Sequence, residues 1–357
     1  MDDFLIIGGG IAGISAAARL APLGTLTLLE AESAFAHHAS GRSAAMYEPR
    51  YGLPPVVELS LAGGDFFRGE PGLLAPRGLM IVADAVEYPA FVRDVAGMDM
   101  DVIPVAEAVA RVPILNAAAI DHAAHADHAW DIDTDLLLQG FARTARAHGA
   151  RLLTSAEVTE ILRTPQGWRV TSHQGVFEAR LLIDAAGAWA DRIAAMAGVR
   201  PIGLAPKRRS MARIALPAGQ DPARWPMIFG AGESWYAKPD AGALIVSPAE
   251  EDPAEPHDAW PDDMVLAEGL ARYEAKVTAP VTRLIASWAG LRSFTPDRVL
   301  AIGHDARDPQ FFWLAGQGGY GFQTSPAASA LVADLIAGRP PALPAATVAA
   351  LDPRRFG

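Results

Sequence analysis

Residues 4–13 read Phe4-Leu5-Ile6-Ile7-Gly8-Gly9-Gly10-Ile11-Ala12-Gly13. The first four form a short apolar run suited to a strand buried on both faces. The next six fit G-x-G-x-x-G, and Ile11 to Leu23 is alanine-rich and helical, ending near Pro22 and Gly24. Gly8 permits the tight turn, Gly10 lets backbone approach a pyrophosphate, and Gly13 allows close helix–strand packing. The helix N-terminus offers free N–H groups and partial positive charge to the phosphates. Thr25 to Leu29 forms a second strand, and Glu30 closes it where a carboxylate can accept from a ribose diol. An acid there disfavours a 2′-phosphate, and with it NADP. The flanking strand and helix make this a dinucleotide site; the motif alone leaves FAD and NAD open.

Outward from this unit, residues 75–130 show short apolar runs separated by Pro and Gly, with Leu79 to Ala83 a strand of a different sheet. Asp133 or Thr134 caps a helix through Leu137, Phe141 and Ala145 to Gly149. Trp168 to Ser172 and Val176 to Ile183 predict a hairpin feeding Asp184-Ala185-Ala186-Gly187. From 202 to 295 strands dominate, broken by Pro217, Pro226, Pro239 and an acidic Pro-rich loop from Ala249 to Pro261. A strand at Phe311 to Ala315, a glycine turn and a helix from Ser325 to Ile336 follow. The expected class is α/β with an α+β second domain. A Rossmann-like nucleotide domain takes residues 1–73, 131–201 and 297–357, and an inserted, sheet-rich substrate domain takes 74–130 and 202–296. Such a fold holds its ligand between the domains.

Lys and Arg number 30 against 41 Asp and Glu, a net charge of -11 that argues against nucleic acid or anionic membrane as partner. Cysteine is absent, which excludes disulfides, thiolate metal sites, a Cys nucleophile and flavin attachment through sulfur. The first residues lack the basic start and longer apolar core of a signal peptide. No stretch approaches the roughly 20 apolar residues of a membrane span. These features predict a cytoplasmic protein without an integral membrane segment. His37-His38 and the His122, His125 and His128 group sit at loop-like spacings without a matching carboxylate constellation, so they read as surface residues and no metal is expected.

Position favours FAD over NAD. Ser40-Gly41-Arg42-Ser43-Ala44-Ala45 follows the second strand with small residues whose amides can meet a phosphate or ring edge. Gly316-Gln317-Gly318-Gly319-Tyr320-Gly321 precedes the last helix, whose N-terminus can stabilise negative charge on a reduced flavin.

These motifs, in this order, resemble the D-amino-acid oxidase and glycine oxidase superfamily of flavoproteins, and within it the bacterial FAD-dependent D-arginine dehydrogenases. Further stretches carry the likeness: Tyr51-Gly52, Asp131-Ile132-Asp133-Thr134-Asp135, Ala185-Ala186-Gly187-Ala188-Trp189 and Pro206-Lys207-Arg208-Arg209-Ser210. So do Tyr236-Ala237-Lys238-Pro239-Asp240, Trp288 to Phe294 and Gln317 to Gln323.

The resemblance implies noncovalent FAD, with Val158, Ala186, Gly187, Trp189, Arg292 and Gly318 to Gln323 among its contacts. It implies that Tyr51, Arg209, Tyr236 and Arg292 surround the substrate and that the Gly319 carbonyl lies beside its amine, with Tyr320 in the pocket. The expected chemistry is hydride loss from Cα of a D-amino acid to flavin N5, giving an imino acid and then a 2-oxo acid and ammonia. Arg suits the carboxylate because its planar fork makes two parallel charge-assisted bonds. Arg292 follows an apolar run, Ile285 to Leu291, where an unpaired guanidinium is costly.

Two positions depart from the arginine-oxidising pattern. Met46 stands for a pocket histidine, and Leu79 for a glutamate that pairs with the guanidinium. An uncharged D-amino acid is therefore expected over arginine. Competing readings are a flavin oxidoreductase acting on a secondary amine or 2-hydroxy acid, a non-catalytic flavin redox sensor and an NAD-dependent dehydrogenase. The electron acceptor, quinone, dye or dioxygen, stays open.

Overall fold

The computed structural model describes residues 1–357, organised on two large sheets and one small one. In the first sheet the parallel strands Phe311–Ala315, Gly175–Asp184, Asp2–Ile7, Leu26–Leu29 and Arg151–Leu153 lie side by side in that order. Ala301–His304 closes one edge antiparallel, and the hairpin Val158–Thr164 with Gly167–Ser172 extends the early half of Gly175–Asp184. Leu5, Ile6, Leu28, Leu182 and Ile183 are all fully buried, because both faces of this sheet are covered. Helix Ile11–Leu20 lies between helices Thr134–Ala147 and Gly321–Ile336, and its Ala16, Ala17 and Ala18 let these neighbours approach closely.

The second sheet has nine strands. Asp101–Ile103, His122–Ala126, Leu79–Ala83, Met227–Gly230, Tyr236–Asp240, Ala243–Ser247 and Ala205–Ile214 follow one another; Leu284–Phe294 pairs along the last, and the ninth, Asp252–Pro253, pairs with its Lys207 and Arg208. Alternation sorts its faces. Met80, Val82, Ile228, Leu244 and Val246 pack with residues of helices Val105–Arg111 and Asp263–Glu274. Leu79, Ile81, Met227 and Tyr236 share the other layer with Met46 and Met211. Every strand of the first sheet falls in 1–73, 131–201 or 297–357, and every strand of the second in 74–130 or 202–296.

The small sheet, Met46–Tyr47, Trp130–Ile132 and Leu74–Pro76, sits between the two. Its Asp131 accepts from Arg77 Nε at 2.8 Å and meets Lys238 Nζ at 2.9 Å. The same ammonium donates to the carbonyls of Ala44 at 3.0 Å and Ala45 at 3.2 Å. No helix is long and apolar enough to cross a membrane.

The differences from the sequence expectations have local causes. Helices Tyr88–Met98, Val105–Arg111 and Asp263–Glu274 occupy stretches read as strands or irregular chain. Asp262 caps the third by accepting from Met264 and Val265 N–H, a signal masked by Pro261 before it. Pro239 does not break a strand but lies inside Tyr236–Asp240. On this side Met227–Gly230 reaches only Tyr236 and Ala237 of the strand, so Pro239 stands past its end and no ladder donor is lost. The helix after the glycine turn starts at Gly321, not Ser325, and a shorter one, Ala345–Leu351, follows it. The missing Pro326 N–H is replaced by the Ser325 hydroxyl, which donates to the Phe322 carbonyl at 2.8 Å.

Candidate active site

Two adjoining cavities lie between the sheets and share Gly10, Ser40, Arg42, Ala185, Gly187 and Gly290. The larger, about 570 Å³, runs from Gly8, Gly10 and Glu30 past Val158 to Ala186, Gly187 and Trp189. The glycines fit their assigned tasks. A Cβ on Gly8 would stand 2.3 Å from the Ala185 carbonyl oxygen, and one on Gly13 would stand 1.9 Å from the Gly8 carbonyl oxygen. The first helix has no side-chain cap of its own at Gly10; Ser40 Oγ accepts from Ile11 N–H at 3.0 Å. Glu30 lines this cavity and also holds the turn, accepting from Gly9 N–H at 2.6 Å and Glu32 N–H at 2.9 Å. A cavity lined by the start of a helix with no N-cap side chain of its own and by a ribose-competent carboxylate fits the adenosine and diphosphate of FAD.

The smaller cavity, about 150 Å³, is bounded by Met46, Arg209, Met211, Arg292, Gly318 and Gly319. Antiparallel register builds it. Lys207 opposes Arg292, Arg209 opposes Gly290, and Met211 opposes Trp288, so the two arginines share one face of the second sheet. Arg209 is 3% exposed, its Nε has no hydrogen-bond partner, and its nearest carboxylate oxygen, on Glu251, is 3.7 Å away. Burial, with Arg292 close by, pushes its pKa down, though a guanidinium stays charged. Arg292 is half-buried, makes no ion pair, and lies flat against Gly319, where a Cβ would stand 3.0 Å from Nη1. Tyr236 Oη and Ser293 Oγ are also buried without partners. Converging donors without acceptors form a site for an anion.

Tyr51 closes the other side. Its hydroxyl donates to Glu233 Oε2 at 3.0 Å, and its ring lies 5.3 Å from that of Tyr320. Burial, then the Glu233 carboxylate, pushes the Tyr51 phenol well above its ordinary pKa, so it remains a neutral donor. Gly52 has φ +123°, a turn that only glycine makes easily, and Gln323 holds this loop by accepting from Glu48 N–H at 3.1 Å.

The family model for FAD dependent oxidoreductases matches residues 3–335. The chain belongs to that family. Glycine oxidase of Geobacillus kaustophilus is 25% identical over 94% of this chain and 92% of its own. Its crystal structure superposes with a TM-score of 0.83 at 23% identity, covering 98% of both chains. L-proline dehydrogenase from P. horikoshii gives 0.83 at 24% identity, covering 99% of this chain and 97% of its own. HcnC, a hydrogen cyanide synthase subunit of Pseudomonas aeruginosa, is 28% identical over 61% of this chain, which spans only 52% of HcnC.

The family's FAD dependence is thus shared, and most residues expected from sequence line the two cavities. Ile11, Ala12, Ser43, Ala45, Gly321, Phe322 and Gln323 do so directly. Others are near without lining. Gly41 makes room for the Ala36 carbonyl, Ala44 packs in the apolar layer, and Tyr320 and Tyr236 flank the arginines. Leu79, expected in the pocket, is 1% exposed within the layer of Met46, Met211 and Tyr236 and does not line the cavity. The run before Arg292 is not buried throughout: Leu284 to Ser287 are exposed at the sheet margin.

Sequence reasoning missed Glu233, whose only signal is its place three residues before Tyr236 in a turn with φ +53°. Of the histidines read as surface residues, His37 is exposed but His125 is not. His125 is 7% exposed, and His128 pairs with the buried Glu48 at 3.2 Å. His37 and His38 do meet carboxylates, those of Glu32 and Asp258.

Proposed function

We propose that the chain oxidatively deaminates D-amino acids with uncharged side chains, using noncovalent FAD. One observation carries the reading: the guanidinium groups of Arg209, whose Nε has no hydrogen-bond partner and whose only ion pair is a long one to Glu251, and of Arg292, which makes none, converge on one small cavity that adjoins the nucleotide site. A substrate carboxylate satisfies both and leaves Cα toward the glycine loop Gly316 to Gly321. Bound FAD supplies a two-electron acceptor at that loop. Tyr236 adds a neutral hydroxyl donor, Tyr51 gives its single proton to Glu233, and the Gly319 carbonyl accepts from the substrate amine. Glu233 gives an ammonium a counter-charge until it loses its proton to solvent. Arg fixes orientation, and the aromatic pair Tyr51 and Tyr320 excludes water. The product imine leaves for hydrolysis to a 2-oxo acid and ammonia.

Met46 and Met211 at the cavity, backed by Leu79 and Tyr236, form an apolar wall that supports an uncharged side chain. A second reading, a small or secondary amine acid, draws support from the likeness to glycine oxidase along nearly the whole chain. An anaerobic visible spectrum with D- and L-enantiomers of leucine, methionine, phenylalanine and arginine, and with glycine, sarcosine and 2-hydroxyglutarate, separates these. Bleaching by D-leucine or D-methionine ahead of the others is expected; faster bleaching by D-arginine or sarcosine overturns the preference.

A further inference from the structure

Helix Tyr88–Met98 of the inserted half is tied to both segments that meet in the Tyr51–Glu233 hydrogen bond. On one side Asp94 Oδ2 accepts from Gly232 N–H at 2.6 Å. That bond holds the turn in which Gly232 and Glu233 have φ of +72° and +53°. On the other side Asp99, which caps the helix at φ +53°, presents its carbonyl to His128 Nε2 at 3.2 Å. His128 Nδ1 lies 3.2 Å from Oε2 of Glu48, the first residue of the loop that carries Tyr51. Glu48 is 6% exposed. Its Oε1 accepts from Arg50 N–H at 3.0 Å, and its carbonyl accepts from Tyr51 N–H at 3.1 Å. Arg50 reaches back to Asp99 Oδ2 at 3.1 Å, an exposed ion pair that adds little. The His128 ring therefore stands between two acceptors, a carboxylate and a carbonyl. Only an imidazolium donates to both.

We propose that Glu48 and His128 are positioning residues for Tyr51: the doubly protonated ring ties the Tyr51 loop to the helix that holds Glu233, and loss of its proton loosens substrate binding. The inference rests on the reading that Tyr51 and Glu233 bound the substrate site. Deprotonation leaves one N–H for two acceptors. Either a ring nitrogen then faces the buried Glu48 carboxylate with a bare lone pair, or the Asp99 carbonyl loses its donor. Burial opposes the charge on His128, but Glu48 and the Asp99 carbonyl outweigh it and raise its pKa. Burial likewise raises the pKa of Glu48, against the Arg50 N–H and His128. The pair is thus charged between these two raised limits. Tyr51 is held within that window and released as pH climbs through the upper limit or falls through the lower. The other charged groups at the ring, Arg50 and Asp99, satisfy each other, and Asp127 turns its 94% exposed side chain toward His125. Neither Glu48 nor His128 lines either cavity. Their effect reaches the site through the loop backbone and through Gln323, which accepts from Glu48 N–H and donates to the Tyr51 carbonyl at 3.4 Å.

The test compares FAD-loaded wild type, His128→Ala and His128→Asn from mildly acid to alkaline pH. Asparagine places an amide N–H where Nδ1 stands and does not titrate. Hydrogen exchange of the Arg50 and Tyr51 amides, corrected for the intrinsic effect of pH, reads the loop without any substrate. Wild-type exchange should accelerate about tenfold or more as His128 deprotonates, the worth of one hydrogen bond to a charged group. His128→Ala should exchange at the fast rate throughout. His128→Asn should recover part of the protection and show no pH step. KM for the best amino acid should follow the same order, while kcat moves less. Asp94→Ala, which frees the Glu233 turn, should raise KM yet keep the pH step in exchange. Equal exchange in wild type and His128→Ala overturns the proposal, as does an unchanged KM in His128→Ala when amino acids bleach the flavin. Failure of every amino acid to bleach it overturns the proposed reaction instead, and amide exchange then decides the control of the loop.

Discussion

The Tyr51 hydroxyl donates to Glu233 at 3.0 Å, joining a loop after the small sheet to a turn of the nine-stranded sheet. A hydrogen bond to a charged acceptor contributes about 1.5–3 kcal/mol. Tyr51→Phe should lower kcat/KM for the best amino acid by roughly tenfold or more, chiefly through KM. Glu233→Gln, which keeps an acceptor and removes the charge, should fall between. Steady-state kinetics with both variants checks the order; wild-type values for Tyr51→Phe would remove the Tyr51–Glu233 contact from substrate binding.

Arg292→Met should cost about 2–5 kcal/mol of transition-state binding, a loss of roughly 30- to 4,000-fold in kcat/KM. Arg292→Lys should recover part of it, since an ammonium keeps charge but not the planar fork. Anaerobic stopped-flow reduction gives the numbers, with FAD content as the control. Unchanged affinity and reduction rate in Arg292→Met would dismiss the carboxylate assignment.

Gly319→Ala places a methyl 3.0 Å from Arg292 Nη1 and 3.1 Å from Cζ. The guanidinium must then shift, and displacement near 1 Å costs up to about 100-fold in rate. Substrate KM should rise while melting temperature stays near wild type. A variant with normal KM would show that the Arg292 plane has room to move.

Glu251 receives two hydrogen bonds from Arg298, at 2.7 and 3.0 Å, and lies 3.2 Å from Lys207. Burial opposes its ionisation, but these cations outweigh it and hold its pKa down to about 2. The folded value is below the unfolded one of about 4.3, so the stabilisation is complete above that value and is lost as pH falls toward 2. Melting temperature should fall through this window, and Glu251→Gln should flatten that part of the profile. An identical acid slope in both proteins would exclude Glu251 as a contributor.

The nucleotide half was legible in the sequence because its glycines act locally. Gly13 is fixed by the Gly8 carbonyl of its own strand–helix turn, although Gly8 and Gly10 face Ala185 and Ser40 from outside it, and Asp133 caps its helix through Leu136 N–H three residues on. The substrate half was less legible because its chemistry arises between distant strands. Register Arg209↔Gly290, not sequence spacing, brings Arg209 beside Arg292. Leu79 looked like a pocket residue from its neighbours in the chain, yet the pleat turns it into the apolar layer. Glu233 and Asp258 carry no motif at all, and only the tertiary fold shows which groups they face.

Asp131 has a consequence beyond its own strand. One carboxylate balances Arg77 and Lys238, and Lys238 in turn grips the carbonyls of Ala44 and Ala45, the second of which lines the smaller cavity. Neutralising it would leave two cations facing each other with no shared counter-ion. The framework of the inserted half and the wall of the reaction chamber therefore hang on a common electrostatic rivet, a single carboxylate that serves both.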